Sequence, residues 1–210
     1  MKRLRLICAL FLAAPVALVL TAGCFSGEPE RVAVERPAPG SGGLGIVGGS
    51  ETGYESWQGV IAVMTGGGLC TGTLIDPEVV LTAGHCVYLP SEGLNVVNNP
   101  GAVDIVGGAD LFNEGAIPIA GATDVVIHDQ WSGDVQDESA VDLALIRLDE
   151  EVTLVDFYPV REFPHPETGD EGIIVGYGLS SWSDQYSSGV HRVGDTTLLQ
   201  VYANLIELGG

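Results

Sequence analysis

Two residues of this 210-residue chain have side chains that could work together in acid–base chemistry. The first is His85, which ends the segment Leu81-Thr82-Ala83-Gly84-His85 and is followed by Cys86. A general base must be held by rigid neighbours, and here a predicted strand leads into the histidine while a cysteine follows it. Taken alone, however, a histidine beside a cysteine is more often a structural residue. The local sequence therefore makes His85 a candidate base without deciding its role.

The second residue is Asp142, the one carboxylate within the apolar run Val141–Ile146. Burying a carboxylate is costly unless it is paired with a cation or accepts hydrogen bonds. Two interpretations remain open from the residues alone. Asp142 could accept hydrogen bonds from backbone amides at a strand edge, or it could orient an imidazole.

The elements that must position these two residues are predicted to be β-strands. Short runs rich in Val, Ile, Leu and Thr alternate with clusters of Gly, Pro, Asn and Asp, a pattern typical of an all-β barrel or sandwich. The predicted strands are Gln58–Met64, Gly72–Ile75, Val79–Thr82, Val103–Val106, Asp124–Ile127, Ala140–Leu148, Gly172–Val175 and Leu198–Ile206.

Charge and composition exclude several classes of protein. The chain has 28 acidic and 8 basic residues, which gives a formal net charge of −20. A nucleic-acid partner is not expected, because binding the phosphate backbone requires a basic surface. The 46% apolar content is high enough for a packed core, which excludes global disorder.

The first 45 residues are predicted to lie outside the folded domain. A basic start and the apolar run Leu6–Leu20 are typical of a secretory signal peptide, here residues 1–23. The sequence Leu20-Thr21-Ala22-Gly23-Cys24 resembles the lipobox of bacterial lipoproteins, which predicts lipid on Cys24; an ordinary secreted protein is the alternative. Residues 24–45 are a Pro- and Gly-containing linker. We therefore expect an exported chain, held at the bacterial cell envelope by a lipid anchor at Cys24, with residues 46–210 as its folded domain.

The cysteine count predicts one disulfide. If Cys8 is removed with the signal and Cys24 carries lipid, Cys70 and Cys86 remain. An exported protein meets an oxidising compartment, so a bridge is expected rather than two free buried thiols. Two cysteines without further ligands at suitable spacing do not complete a metal site. The acidic residues Asp110 and Glu114 are likewise expected to be solvated surface groups rather than calcium ligands.

Six segments in order resemble the trypsin-like serine proteases of the chymotrypsin fold. The His85 segment matches the one that carries the family's catalytic histidine, and the Asp142 segment matches the one that carries its aspartate. In His128-Asp129-Gln130-Trp131, which resembles the family's His-Pro-x-Tyr, Asp129 replaces Pro. The matching segments are Ile46–Gly49, Cys70–Ile75, Leu81–Cys86, His128–Trp131, Asp142–Leu148 and Gly176–Gly178.

This resemblance implies a fold and a set of roles. The fold would be two antiparallel six-stranded barrels with the site in the cleft between them. His85 would act as general base and then acid, and Asp142 would fix the histidine tautomer. The pair Cys70–Cys86 would be the family's bridge beside the histidine, and Ile46 would become the new N-terminus after activation. The substrate would be a protein or peptide, and no cofactor or metal would be needed.

Two departures from the family pattern shape the functional expectation. The motif Gly-Asp-Ser-Gly-Gly, which would carry the nucleophile, does not occur in the 210 residues, and Gly45 rather than Arg or Lys precedes Ile46. We expect a first barrel that is complete, a second that is incomplete because the sequence stops early, and no peptide hydrolysis by the chain itself. The main interpretation is a serine endopeptidase whose given sequence lacks the nucleophile. The alternative is a non-catalytic, lipid-anchored binding or decoy module on the same scaffold.

Overall fold

The computed structural model describes residues 30–33, 46–66, 68–153, 155–162, 164–181, 183–184, 186–202 and 206–209. These residues form β-strands and short 3₁₀ turns, so the predicted all-β class is confirmed. The strands are β1 (Ser50–Glu51), β2 (Val60–Thr65), β3 (Gly68–Asp76), β4 (Val79–Thr82), β5 (Tyr88–Leu89), β6 (Leu94–Asn95), β7 (Asp104–Gly107), β8 (Ile117–Ile127), β9 (Ala144–Leu148), β10 (Glu171–Gly176), β11 (Arg192–Val201) and β12 (Ile206–Gly209). The 3₁₀ turns are Tyr54–Ser56, Gly84–Cys86, Pro90–Glu92 and Pro100–Ala102.

Six strands close into an antiparallel barrel in the order β2-β3-β4-β9-β8-β7. Strand β9 shows why these sequences form the barrel wall, since its buried and exposed residues alternate with the two-residue period of a strand. Ala144, Ile146 and Leu148 point into the core, whereas Arg147 faces outward. In β3, a side chain at Gly72 would meet Val80 at 2.6 Å, so the barrel interior there has room only for glycine.

The remaining strands form a second, open sheet in the described part of the chain. β11 is its centre, with β1 and β10 on its two sides and β12 paired to its later half. The expectation of one closed barrel followed by an unclosed set of strands agrees with this topology. Strands β5 and β6 form a separate short hairpin.

The open sheet contacts the barrel through the segment that follows β10. The backbone N–H of Tyr177 donates to Oγ1 of Thr71 on β3, at 3.0 Å. The Tyr177 hydroxyl donates to the carbonyl of Gly108, also at 3.0 Å, and its ring is buried. Gly176 lies so close to Thr71 that a side chain at position 176 would meet its hydroxyl at 2.6 Å. The predicted Gly176–Gly178 motif therefore lies where the sheet meets the barrel.

Several predicted strands were wrong in their extent. β8 begins at Ile117 rather than Asp124, and β3 covers Gly68–Asp76 rather than Gly72–Ile75. The strand predicted over Ala140–Leu148 begins only at Ala144, because the preceding backbone bonds to another loop: the N–H of Val141 donates to Gln130 and that of His128 donates to Leu143. The strand predicted over Leu198–Ile206 is divided between β11 and β12, which pair with each other.

The predicted signal peptide 1–23, Cys24 and most of the linker 24–45 lie outside the described residues. Residues 30–33 of that linker are described, and Val32 pairs with Ala116 in an isolated antiparallel bridge. Within the described chain, we find no helix with the length and apolar character to cross a membrane.

Candidate active site

His85 lies in the 3₁₀ turn Gly84–Cys86, immediately after strand β4. Two backbone hydrogen bonds close this turn, from Cys86 to Ala83 and from Val87 to Gly84. The predicted disulfide is confirmed: Cys86 is bonded to Cys70 of β3, with their Cα atoms 6.0 Å apart. The histidine is thus held by a barrel strand on one side and by a covalent link to the neighbouring strand on the other.

Asp142 approaches the histidine from the loop that precedes β9. Its Oδ2 lies 2.7 Å from Nδ1 of His85, and its Oδ1 accepts the backbone N–H of His85 at 2.8 Å. The sequence had left two roles open for this carboxylate, a backbone acceptor and a partner of an imidazole. The structure shows both contacts, each with its own oxygen.

Electrostatics fix the direction of the hydrogen bond between the two side chains. Partial burial opposes ionisation of Asp142, but hydrogen bonds from the His85 side chain and backbone and from the Gly84 amide outweigh it, so the pKa of Asp142 is lowered. An ionised carboxylate can only accept hydrogen bonds, so Nδ1 of His85 must carry the proton. The neutral imidazole then has its acceptor at Nε2. About a quarter of the His85 side chain is exposed (26%), so a reacting group can reach it.

A third side chain at this site, Trp131, belongs to the motif His128–Trp131, and its local sequence does not predict a place beside His85. The indole of Trp131 packs against Gly84 and donates from Nε1 to the carbonyl of Tyr88 at 3.0 Å. Trp131 is far from Gly84 in sequence, and no periodicity links the two positions. Only the folding of the 128–142 loop over the turn around His85 reveals the contact.

The other predicted site residues lie elsewhere. Ile46 is buried, with its side chain against Gly49 and Gly194 of β11, and its role as a new N-terminus stays a prediction. Oδ1 of Asp110 accepts the amides of Phe112 and Asn113, which is the role of a turn residue. Glu114 forms an ion pair with Arg31, with N and O 3.6 Å apart.

The serines near the end of the chain bond mainly to one another. The hydroxyl of Ser187 accepts the amides of Ser180 and Ser181 and donates to the carbonyl of Asp184. Within the described ranges, no serine hydroxyl is hydrogen-bonded to His85. The sulfurs of Cys70 and Cys86 lie near His85, but they are bonded to each other and are not available as a pair of metal ligands.

Comparison with known proteins shows which family the chain belongs to. The family model described as Trypsin matches residues 46–204. Chymotrypsin-like elastase family member 1 of Macaca fascicularis is 31% identical over 124 residues, which cover 57% of this chain and 43% of that protein. Brachyurin of Leptuca pugilator is 31% identical over 159 residues, which cover 73% of this chain and 65% of that protein. The chain therefore spans about half to two thirds of the length of these curated relatives.

Solved structures agree on the fold. Neuropsin, a serine protease of mouse brain, superposes with a TM-score of 0.62 at 19% identity, covering 79% of this chain and 75% of that one. A match at this identity concerns the fold alone, whereas the family model covers most of the chain. The chain belongs to the family of trypsin-like serine proteases.

Proposed function

We propose that the chain provides the acid–base half of a serine endopeptidase site. The observation that carries the proposal is the contact between Asp142 and Nδ1 of His85, which fixes the tautomer with Nε2 free to accept a proton. In this reaction Nε2 removes the proton from an attacking hydroxyl and then returns it to the leaving amine, while Asp142 stabilises the imidazolium. The substrate class is a protein or peptide.

The nucleophile is a separate part of this proposal. The sequence does not contain Gly-Asp-Ser-Gly-Gly, and the serines between 180 and 188 bond to their own loop. We therefore propose that these 210 residues by themselves do not hydrolyse peptides. Losing even one oxyanion-hole donor costs about 2.7–4 kcal/mol in the barrier, and losing the nucleophile removes the reaction itself.

An activity assay with two forms of the protein tests both statements. The 210-residue chain is incubated with casein and with a panel of short peptide esters, next to its His85→Ala variant. We expect equal, background rates. A chain extended by the coding sequence downstream of codon 210 should become active, lose that activity with His85→Ala, and react with a serine-directed phosphonate. Activity of the 210-residue chain that the phosphonate blocks would contradict the proposal.

A second candidate function is a non-catalytic module that binds peptides on the same scaffold. The observation that favours it is that, in the described part of the chain, His85 has no serine partner. Titration of the chain with unlabelled casein fragments, followed by mass spectrometry of the peptides, separates the candidates. Saturable binding of intact peptides, together with a downstream sequence that restores no activity, would favour the module.

We also propose that the protein is exported and held at the cell envelope by lipid on Cys24. The support is the basic and apolar leader followed by Leu20–Cys24. The Cys24→Ala variant should leave the membrane fraction or stay unprocessed. The Cys8→Ala variant is the matched control and should fractionate like the wild type, because that cysteine lies within the leader. A Cys24→Ala protein that is processed and sediments with membranes would contradict the anchor.

Activation by cleavage before Ile46 is the last part of the proposal; the lipid on Cys24 holds the uncleaved protein, and this cleavage releases residues 46–210 from the anchor. Gly45 precedes this bond, so the cleaving enzyme would not be one that requires Arg or Lys. N-terminal sequencing of the protein isolated from its native cells checks the position. A mature chain that begins at residue 24 and contains an intact 45–46 bond would contradict it.

A further inference from the structure

The side chain of Trp131 occupies the space that a side chain at Gly84 would need. A Cβ atom placed on Gly84 would lie 3.0 Å from both Cδ1 and Cγ of the indole, and 3.2 Å from Oδ1 of Asp142. Few real Cβ atoms have neighbours this close. The five-membered edge of the indole therefore lies directly against the Gly84 backbone, beside the oxygen of Asp142 that accepts the His85 amide.

Trp131 is itself held from both sides. Its Nε1–H donates to the carbonyl of Tyr88, three residues after His85. Its own backbone N–H donates to His128, and the next residue back, Gln130, accepts the amide of Val141 beside Asp142. The indole thus joins the turn that carries the histidine to the loop that carries the carboxylate.

We propose that Trp131 is a positioning residue for the pair formed by His85 and Asp142. The backbone amide and the ring of His85 both bond to the Asp142 carboxylate, so a shift of this short stretch of backbone would break both hydrogen bonds together. The indole prevents that shift by packing on Gly84. The inference deepens the proposed function, since it concerns the same pair.

A test must separate positioning of the pair from a general contribution to stability. The readout is the exchange with water of the proton on Nδ1 of His85, followed by NMR in the full-length ¹⁵N-labelled chain. Exchange of the Ile146 amide, in the fully buried core of β9, is measured in the same sample and reports global opening. The ratio of the His85 rate to the Ile146 rate therefore measures local opening of the hydrogen bond between His85 and Asp142, separately from global unfolding.

Four variants complete the experiment. Trp131→Ala should raise the ratio of the His85 rate to the Ile146 rate at least about tenfold, because the turn around Gly84 can then shift and open the hydrogen bond. Trp131→Phe keeps an aromatic ring over Gly84 and should change the ratio by less than about threefold. Trp131→Leu keeps an apolar side chain but removes the flat indole edge from Gly84 and the hydrogen bond to Tyr88, and should also raise the ratio. Trp57→Ala is the matched control, because that indole contacts Tyr158 rather than the pair, and should leave the ratio unchanged.

The outcomes decide the proposal without any catalytic assay. A folded Trp131→Ala chain with the wild-type ratio would overturn it, as would an equal rise in Trp57→Ala. If Trp131→Ala does not fold, Trp131→Leu decides: a wild-type ratio in that variant overturns the proposal and a raised ratio supports it. A chain that never cleaves peptides can still give either result, so failure of the proposed function and failure of this inference are distinguishable.

Discussion

The imidazole of His191 packs on the ring of Tyr177, with their centroids 4.9 Å apart and their planes at 40°. Tyr54 approaches the same imidazole edge-on, at 6.4 Å. His191 is completely buried, and neither ring nitrogen has a hydrogen-bond partner among the described residues. These three rings lie where the open sheet meets the barrel, because the Tyr177 hydroxyl donates to Gly108, the residue that follows β7.

Burial of His191 predicts that the fold loses stability as the pH falls from 6.5 towards 4. Desolvation lowers the pKa of His191 to about 4, so the unfolded chain binds a proton in this range that the folded chain does not. The contribution of the neutral imidazole to the free energy of unfolding is fully present above the pKa that His191 has in the unfolded chain. It decreases as the pH falls, by at most about 3 kcal/mol in total. Denaturant unfolding at a series of pH values measures this loss. Burial raises the pKa of Tyr54 to about 12 and also raises that of Tyr177, so neither ring charges in this range.

Substitutions separate this effect from the titration of the many acidic groups. His191→Phe should lack the part of the pH dependence between 6.5 and 4 that comes from His191, so its stability should fall less with pH than that of the wild type. His128→Gln, which changes a partly exposed histidine on a barrel loop, should retain that part of the pH dependence. A pH dependence that is the same in the wild type and in His191→Phe would show that the buried imidazole is not its source.

Replacing Asp142 by Asn should change the tautomer of His85. An amide offers one oxygen, whereas the carboxylate accepts both the ring and the backbone of His85. The NH₂ group would then face an N–H donor, which costs about 1–3 kcal/mol of stability unless the proton moves to Nε2. The ¹⁵N shifts of the imidazole report the tautomer, and Asp129→Asn, an exposed neighbour on the same loop, should leave them unchanged. Unaltered ring shifts in Asp142→Asn would count against this account.

The lowered pKa of Asp142 adds a separate prediction at lower pH. Its hydrogen bonds stabilise the ionised form, so the folded chain holds this proton less tightly than the unfolded chain. The ionised carboxylate therefore contributes to the free energy of unfolding. This contribution is fully present above the ordinary pKa of an aspartate and is lost as the pH falls below it. Carboxyl ¹³C NMR should show that Asp142 titrates below the ordinary pKa of an aspartate. If Asp142 titrates at or above that ordinary value, the hydrogen bonds do not outweigh burial.

Reducing the Cys70–Cys86 bridge should destabilise the barrel near His85. The two cysteines are 16 residues apart in sequence, and closing a loop of this size contributes about 3 kcal/mol. The double variant Cys70→Ser/Cys86→Ser should therefore unfold at lower denaturant concentration, while Cys24→Ser should not. Equal midpoints for the bridged and unbridged chains would mean that the native contacts alone fix the turn.

The bridge between Val32 and Ala116 depends on a glycine. Gly115 has φ +85°, and a Cβ there would lie 3.1 Å from the carbonyl of Val32. Gly115→Val should displace residues 30–33 and expose the Ala116 amide to faster hydrogen exchange. Gly93→Val is the matched control, since Gly93 also has a positive φ but no neighbour within 4 Å of its Cβ position. Both variants should lose about 1–2 kcal/mol to backbone strain, but only Gly115→Val should speed exchange at Ala116.

The sequence by itself determined those features that depend on local pattern. Alternating apolar residues predicted the all-β class, and β4 was predicted over its full length, Val79–Thr82. The count of cysteines led to the Cys70–Cys86 bridge, and the segments around His85 and Asp142 carried the family resemblance. Strand ends were less well predicted, because they depend on which backbone partner is nearby. Ala140–Leu143 contains apolar residues, yet its amides bond within a loop.

Only the tertiary structure decided which distant residues meet. His85 and Asp142 are 57 positions apart, and their residue types are compatible with several roles until the barrel brings them to 2.7 Å. The contact of Trp131 with Gly84 and the burial of His191 between two tyrosines left no mark in the sequence. The physical reason is that solvation and side-chain contact depend on what packs from other strands and loops. A residue's own neighbours in the chain specify its local conformation, whereas these contacts exist only once the barrel has closed.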